Sequence, residues 1–243
     1  MRLDKVLADR GLGTRSEIKK ILRQGQVTLH GQVVLKADLQ INTADLPYIC
    51  YRGEKIDFYA KTVFLLNKPA GVLSMPEAEG VPCALDYLPP AYRSRKFSCV
   101  GRLDKYSEGL LLITNDGELI HRLTQPKWKI RKLYYVDFEP EMSSTAAQLV
   151  QTEFAQGINL GDFVTLAAEF HRLNSTSAEI TVQEGKFHQV RRMLSACGYT
   201  VKRLLRLQEG PLALQDMAVG AVRQLDEAEI ASLYAEVQLT RTD

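Results

Sequence analysis

The sequence predicts an α+β fold: a small helix-pair-plus-strands unit, then a larger mixed or antiparallel sheet flanked by helices. Three observations carry this. The first 60 residues hold two short amphipathic helical segments followed by an alternating, hairpin-like stretch. From residue 61 onward, strand-like and helix-like segments mix without the strict β-α-β rhythm of a doubly wound sheet. The chain has 243 residues and is 45% apolar, enough for one large or two modest domains with a real core.

In the first unit, Leu3, Val6 and Leu7 are spaced for one helical face, and Arg10-Gly11-Leu12-Gly13 supplies a stop. Thr14 reads as an N-cap with Glu17 three residues on, the capping-box spacing, opening a helix through Gln24. Ile18, Ile21 and Leu22 form its apolar side, while Arg15, Lys19 and Arg23 recur every four residues along another. "QVTLHGQVVLKADLQI" alternates around His30-Gly31 and predicts a hairpin, and a last short strand is expected within Tyr48–Tyr59.

The second unit, residues 61–243, has room for two sub-domains around a cleft. "TVFLLNKPAGVLS" predicts a strand ending at Asn67-Lys68-Pro69, followed by a long polar loop from Ser74 to Lys96. "GLLLITNDGELIHRL" reads as strand, turn and helix, "KLYYVDFEP" as a strand, and "STAAQLVQTEFAQGI" as a helix. A hairpin is expected in "AEFHRLNSTSAEITVQEG", a helix in "FHQVRRMLSACG" and a strand with a turn in "TVKRLLRLQEGPLAL". The tail "LDEAEIASLYAEV" predicts an amphipathic helix with Ile230, Leu233 and Val237 on one side.

Net charge is only +2, but its distribution is uneven. Residues 1–36, 119–136 and 186–208 carry +5, +5 and +6, leaving −14 for the remainder. Basic blocks interleaved with Tyr, Trp and Phe are the footprint expected of a polyanion-binding protein. No apolar run approaches the roughly 18–20 residues that cross a bilayer. No secretory signal is apparent, and Cys50, Cys83, Cys99 and Cys197 form no C-x-x-C pair, so reduced thiols in a cytoplasm are expected. Phosphate-loop, dinucleotide-binding and zinc-ligand spacings are absent, and His30, His121, His171 and His188 are too dispersed to suggest a triad. Any chemistry must then rest on carboxylate, phenol and guanidinium, with no cofactor and no metal implied.

The segment "GRLDKYSEGLLLITNDG" places Asp104 at the mouth of a tract that otherwise reads as buried strand. An aspartate there ordinarily caps a turn or pairs with Arg102. Two further segments give it a second reading: "KLYYV" puts Tyr134 on a strand, and "EGKFHQVRRML" puts Arg191 and Arg192 in the first turns of a basic helix.

Together, "VGRLDKYSEGLLLITNDGELIHRLTQPKWKIRKLYYV", "EGKFHQVRRMLSACGYTVKRLLR" and the earlier "LLNKPAGVLS" closely resemble the ribosomal RNA pseudouridine synthases of the small-subunit synthase A type. The similarity spans almost all of residues 61–232. "RLDKVLADRGLGTRSEIKKILRQGQVTLHGQVV" resembles the small RNA-binding module first described in ribosomal protein S-four, over nearly all of residues 1–60. The resemblance implies isomerisation of a uridine in ribosomal RNA to pseudouridine, with the small-subunit (16S) RNA favoured over the large-subunit RNA that related enzymes modify. It implies Asp104 as the catalytic carboxylate, Tyr134 stacked on the uracil, and Arg191, or its neighbour Arg192, paired with Asp104. Lys68 and Pro69 match a motif that buttresses the active-site loop. Lys68, Arg102, Arg122, Lys132, His188, Gln189 and Arg192 are candidate RNA-binding residues of the catalytic unit, with His121, Lys127 and Lys129 nearby. Arg15, Lys19 and Arg23 are the candidates of the first unit. Leu205 and Arg206 fall on a strand near the pocket. The implied partner is ribosomal RNA or a small-subunit assembly intermediate, met by a monomer without membrane or small-molecule cofactor. Lys105 and Tyr106 depart from the family's usual loop residues. A non-catalytic ribosome-assembly factor and a DNA-binding regulator are the rival classes.

Overall fold

A computed structural model describes residues 1–9, 12–56, 61–93 and 97–240. The chain divides into two compact units, one of Met1–Thr62 with Pro90–Lys96 and Arg241–Asp243, the other of Val63–Pro89 with Phe97–Thr240.

The first unit opens with helices α1 (Leu3–Asp9) and α2 (Arg15–Arg23). Thr14 and Glu17 form a complete capping box, with Glu17 Oε2 accepting from the Thr14 amide at 2.7 Å and Thr14 Oγ1 accepting from the Glu17 amide at 3.3 Å. Strands β1 (Val27–Leu29) and β2 (Gln32–Val33) form the expected hairpin, and both turn residues have positive φ, 50° at His30 and 78° at Gly31, as a type I′ turn requires. A 3₁₀ turn (Thr43–Tyr48) leads to β3 (Ile49–Tyr51) and β4 (Glu54–Lys55), completing an antiparallel sheet of order β2-β1-β3-β4. Leu3, Leu7, Ile18, Leu22, Val27 and Ile49 are its buried core, while Arg15, Lys19 and Arg23 stay exposed on α2. The Arg10-Gly11 stop and the end of the last expected strand lie outside the described residues. Helix α3 (Pro90–Arg93) and a 3₁₀ turn (Ala84–Tyr87) occupy part of the stretch expected to be loop.

The second unit is built on a nine-stranded sheet. Its strands are β5 (Val63–Lys68), β6 (Ser98–Cys99), β7 (Glu108–Thr114), β8 (Lys132–Glu139), β9 (Glu169–Arg172), β10 (Ser177–Val182), β11 (Thr200–Glu209), β12 (Leu212–Ala213) and β13 (Val222–Gln224). The path runs β13-β5-β7-β11-β8-β10-β9, with β6 on β7 and β12 on β11. Every pairing is antiparallel except β7 with β11, which is parallel. Helices α4 (Gly117–Thr124), α5 (Ser144–Gln156), α6 (Gln189–Ala196) and α7 (Glu227–Glu236) accompany it. Strands β6 and β13 are too short to show a period of two, so the sequence did not announce them.

Strand β5 is buried at every position and β7 at all but Glu108, so both are interior strands covered on two faces. Leu65, Leu110 and Leu112 share one core cluster with Leu119 and Leu123 of α4 and with Ile230, Leu233 and Val237, the apolar side expected of the last helix. Asp116 caps α4 by accepting from the Glu118 and Leu119 amides, and its other oxygen accepts from the Tyr234 hydroxyl of α7. Among the described residues, no helix is long and apolar enough to cross a membrane.

Candidate active site

A cavity of about 230 Å³ opens in the second unit, against ~30 Å³ for one water in the liquid, so it admits a heterocycle-sized group. Asp104, Tyr134, Lys132, His188, Arg206 and Glu209 are among its lining residues.

Asp104 sits on the loop between β6 and β7, and this loop is pinned from three sides. Ser74 Oγ donates to the Leu103 carbonyl at 2.8 Å and accepts from the Leu103 amide at 3.0 Å. The Gly71 amide donates to the Lys105 carbonyl at 2.7 Å. Lys68, wholly buried at the end of β5, donates to the carbonyls of Pro69, Lys105 and Ser107 at 2.9, 3.2 and 2.7 Å. Burial brings its pKa down to about 8, against the opposing attraction of Asp104 and Glu108. The expectation that Lys68 meets RNA is therefore corrected: its ammonium is spent on the carbonyls of the loop that carries Asp104.

The Asp104 side chain keeps 32% of its surface exposed, and its Oδ1 lies 3.4 Å from Nε2 of His188. Ser107 Oγ makes a long 3.5 Å contact to Oδ2. His188 has positive φ, 51°, immediately before α6, and its ring is stacked on Phe187 with centroids 3.9 Å apart.

The ion pair expected between Asp104 and Arg191 or Arg192 is not formed, which corrects both readings. Arg191 Nη1 donates to the Val201 carbonyl at 3.3 Å, tying α6 to β11. Arg192 pairs with Asp162 and donates to the Leu160 carbonyl at 3.0 Å. A helix turns successive side chains by about 100°, and the two arginines are engaged on different partners, Val201 and Asp162.

The cavity's buried guanidinium belongs to Arg206, 2% exposed on β11. Its Nε donates to the Leu110 carbonyl at 2.7 Å, its Nη2 lies 3.1 Å from Glu209 Oε2, and its charge acts on the Tyr134 phenol. Glu209 Oε1 faces Lys132 Nζ at 4.0 Å. Arg206 and Glu209 are three residues apart, a spacing that on a regular strand puts them on opposite faces. A register shift between Arg206 and Gln208 restores them to one side: Arg206 opposes Tyr134 and Glu209 opposes Lys132 on β8. Burial opposes the charge on Arg206, but Glu209 and the Tyr134 oxygen outweigh it and its pKa rises. Burial raises the Tyr134 phenol, with Arg206 opposing, and lowers the Lys132 ammonium, with Glu209 opposing.

Gln189 and Arg122, expected at RNA, are engaged within the protein. Gln189 is buried; its Nε2 donates to Glu184 Oε1 at 2.9 Å and its Oε1 accepts from the Lys186 amide at 3.0 Å. Arg122 donates to Glu118 and to the carbonyls of Val237 and Gln238 at 2.9, 3.0 and 2.9 Å, clamping α4 to the end of α7. Lys132 lines the cavity wall, and Arg102 is exposed at its edge. Arg206 was visible in the sequence only as part of a strand near the pocket. Leu204 and Arg206 share one side of β11, so the period-two pattern did carry that signal; Glu209 lay behind the bulge and had none.

A solvent-reaching carboxylate over a heterocycle-sized cavity walled by a tyrosine, in a chain whose first unit carries a basic helix, fits an enzyme that works on a nucleotide of a larger nucleic acid. Residues 62–196 match the family described as RNA pseudouridylate synthase, and residues 1–46 match the S4 domain. The RNA pseudouridine synthase YtzG of Bacillus subtilis is 34% identical over 95% of this chain and 97% of its own length. The ribosomal small subunit pseudouridine synthase A of Yersinia pestis is 34% identical over 97% and 99%. A crystal structure of a pseudouridylate synthase aligns with a TM-score of 0.67 at 31% identity, covering 96% of this chain and 99% of that one. The chain belongs to the RNA pseudouridylate synthase family: it is an RNA-modifying isomerase with an S4 domain at its N-terminal end.

Proposed function

We propose that the protein converts a uridine of small-subunit (16S) ribosomal RNA to pseudouridine, with Asp104 as the reactive carboxylate. One observation carries the assignment of Asp104. Three carboxylates line the cavity, and Glu184 and Glu209 are 8% and 1% exposed and engaged by protein groups, whereas Asp104 reaches solvent. The similarity to the small-subunit synthase of Yersinia pestis supports the choice of RNA.

In this reaction the N1–C1′ bond of the uridine breaks, the uracil turns, and a C5–C1′ bond forms. C5 loses a proton and N1 gains one, so the product is an isomer and no electrons are exchanged. Asp104 acts as a carboxylate whether it attacks covalently or removes a proton. His188 steadies it at 3.4 Å, and the loop pinned by Lys68 and Ser74 presents it with little reorganisation. Tyr134 offers its ring to the extruded uracil, replacing part of the stacking lost from the RNA. Arg206, anchored on Leu110 and Glu209, stands opposite Tyr134 in the strand register and its charge acts on the phenol.

Residues 1–60 serve as the docking domain, with Arg15, Lys19 and Arg23 as phosphate contacts, and residues 61–243 as the catalytic domain. In this reading the protein acts as a monomer, and a ribosomal RNA substrate implies work in the cytoplasm. The test is to incubate the protein with unmodified 16S and 23S transcripts and with small-subunit assembly intermediates, then map pseudouridine by carbodiimide chemistry. One new site in 16S RNA or its intermediates is the expected result. A site in 23S RNA overturns the choice of RNA, and binding without modification overturns the role of Asp104.

A further inference from the structure

The turn that joins β10 to α6 carries a side chain for which the reaction above has no use. Phe187 is 71% exposed, although its neighbours Lys186 and His188 both line the cavity. Its ring lies flat on His188, 15° from parallel, and His188 is the residue that contacts Asp104. The left-handed conformation at His188 turns the chain here, a backbone state rare outside glycine and tolerated by histidine more than by most residues. Glu184 and Gln189 close the turn from within through their side-chain hydrogen bond, and the Gln189 oxygen holds the Lys186 amide. The turn is thus braced from inside while it presents a phenyl ring outward. Lys186, next in sequence to that ring, is exposed with its ammonium 5.7 Å over the Phe163 ring, and no carboxylate pairs with it among the described residues.

Extruding a uridine leaves a gap in the RNA stack, so the base next to it loses a partner on one face. Tyr134 lies inside the cavity and can cover only the extruded base. An aromatic ring fixed at the rim can cover the neighbour, because every base has a π-face to offer.

We propose that Phe187, held flat on His188, stacks on the nucleotide flanking the target uridine, with Lys186 contacting the adjoining phosphate. The inference rests on the reading of Asp104 as the reactive group, since it is the contact of His188 with Asp104 that places the Phe187 ring beside the chemistry. It assigns to the rim a share of RNA binding that is insensitive to salt, set beside one cationic contact that is sensitive to it.

The test uses the full chain and a single-stranded RNA oligonucleotide in which 2-aminopurine flanks one uridine. Phe187→Leu, Phe187→Trp and Lys186→Gln are compared with the unaltered protein; both positions are exposed, and circular dichroism confirms the fold. The expected results are quenching of 2-aminopurine by the unaltered protein and by Phe187→Trp, and loss of that quenching in Phe187→Leu. Phe187→Leu should bind at least about fivefold more weakly at every salt concentration. Lys186→Gln should reduce the slope of log affinity against log salt by about one while keeping the quenching. Equal quenching and equal affinity in Phe187→Leu overturn the proposal. The readout is independent of turnover: a protein that modifies no ribosomal RNA sinks the function proposed above, whereas one that modifies RNA while Phe187→Leu binds normally sinks only this inference.

Discussion

Gly109 and Arg206 face each other across the parallel pair of β7 and β11, and a β-carbon at 109 would lie 2.3 Å from the Arg206 carbonyl oxygen and 2.8 Å from its amide nitrogen. Those contacts are with backbone, which cannot swing aside, and φ at Gly109 is 100°, a conformation costly for any side chain. Gly109→Ala is therefore expected to destabilise the protein by about 3 kcal/mol or more, roughly 6–12 °C in Tm for a unit of this size. Arg206, and with it Tyr134, should lose register before the fold is lost, so activity should fall further than stability does. A variant that melts within 2 °C or so of the parent would show that the strands do not approach so closely.

Asp104→Asn keeps shape and volume and removes the charge. Turnover should drop on the order of 10³-fold while RNA affinity changes little. The check is single-turnover pseudouridine formation alongside filter binding on the same transcript; turnover near the parental rate would remove Asp104 from the chemistry.

Arg206 and Glu209 form a buried pair at 3.1 Å, each about 2% exposed. Removing one partner strands the other's charge in the interior. Arg206→Met alone is expected to cost about 3–5 kcal/mol, and Arg206→Met with Glu209→Met considerably less. Chemical denaturation of the two variants measures the difference. Equal losses in both would mean that the pair is not energetically coupled.

Lys68 gives opposite pH dependences to activity and to stability. Its folded pKa of about 8 lies below the ordinary lysine range because of burial, so unfolding takes up a proton in the interval above pH 8. Its contribution to stability therefore rises with pH across that interval. Over the same interval the ammonium becomes an amine, with two N–H donors for three carbonyls, and the Asp104 loop loses part of its clamp. kcat is expected to decline above about pH 8 under conditions where the melting temperature does not. A rate that stays flat to pH 10 would show that the Lys68 clamp on the Asp104 loop has no part in turnover.

Replacing Arg15, Lys19 and Arg23 together by Gln in the full chain should leave α2 intact, because its capping box and its buried Ile18 and Leu22 are untouched. The slope of log affinity against log salt should fall by about 2–3, with RNA captured more weakly at low salt. An unchanged slope would take these residues off the RNA.

What could be read from the chain alone was whatever neighbouring residues settle among themselves. The Thr14–Glu17 box, the His30-Gly31 turn and the apolar run Leu110–Ile113 each depend on contacts within a few positions or on a simple period, and each is present as read. The motif around Asp104 was legible for the same reason, being one continuous stretch of loop and strand. Which cations serve the site was a different matter. Lysine and arginine look alike in a sequence whether they face solvent, a carbonyl or a carboxylate. Lys68 and Arg122 were assigned to RNA and bind backbone carbonyls instead, 37 to 39 and 115 to 116 residues away. Arg206 reached the cavity because a parallel strand pairing set it beside Leu110, 96 residues earlier, and because one bulge turned Glu209 to the same face. Helix, turn and the Asp104 loop were determined by the sequence. The destination of each buried charge was decided only when distant strands paired, because removing a charge from water is tolerable only where the fold supplies its partner.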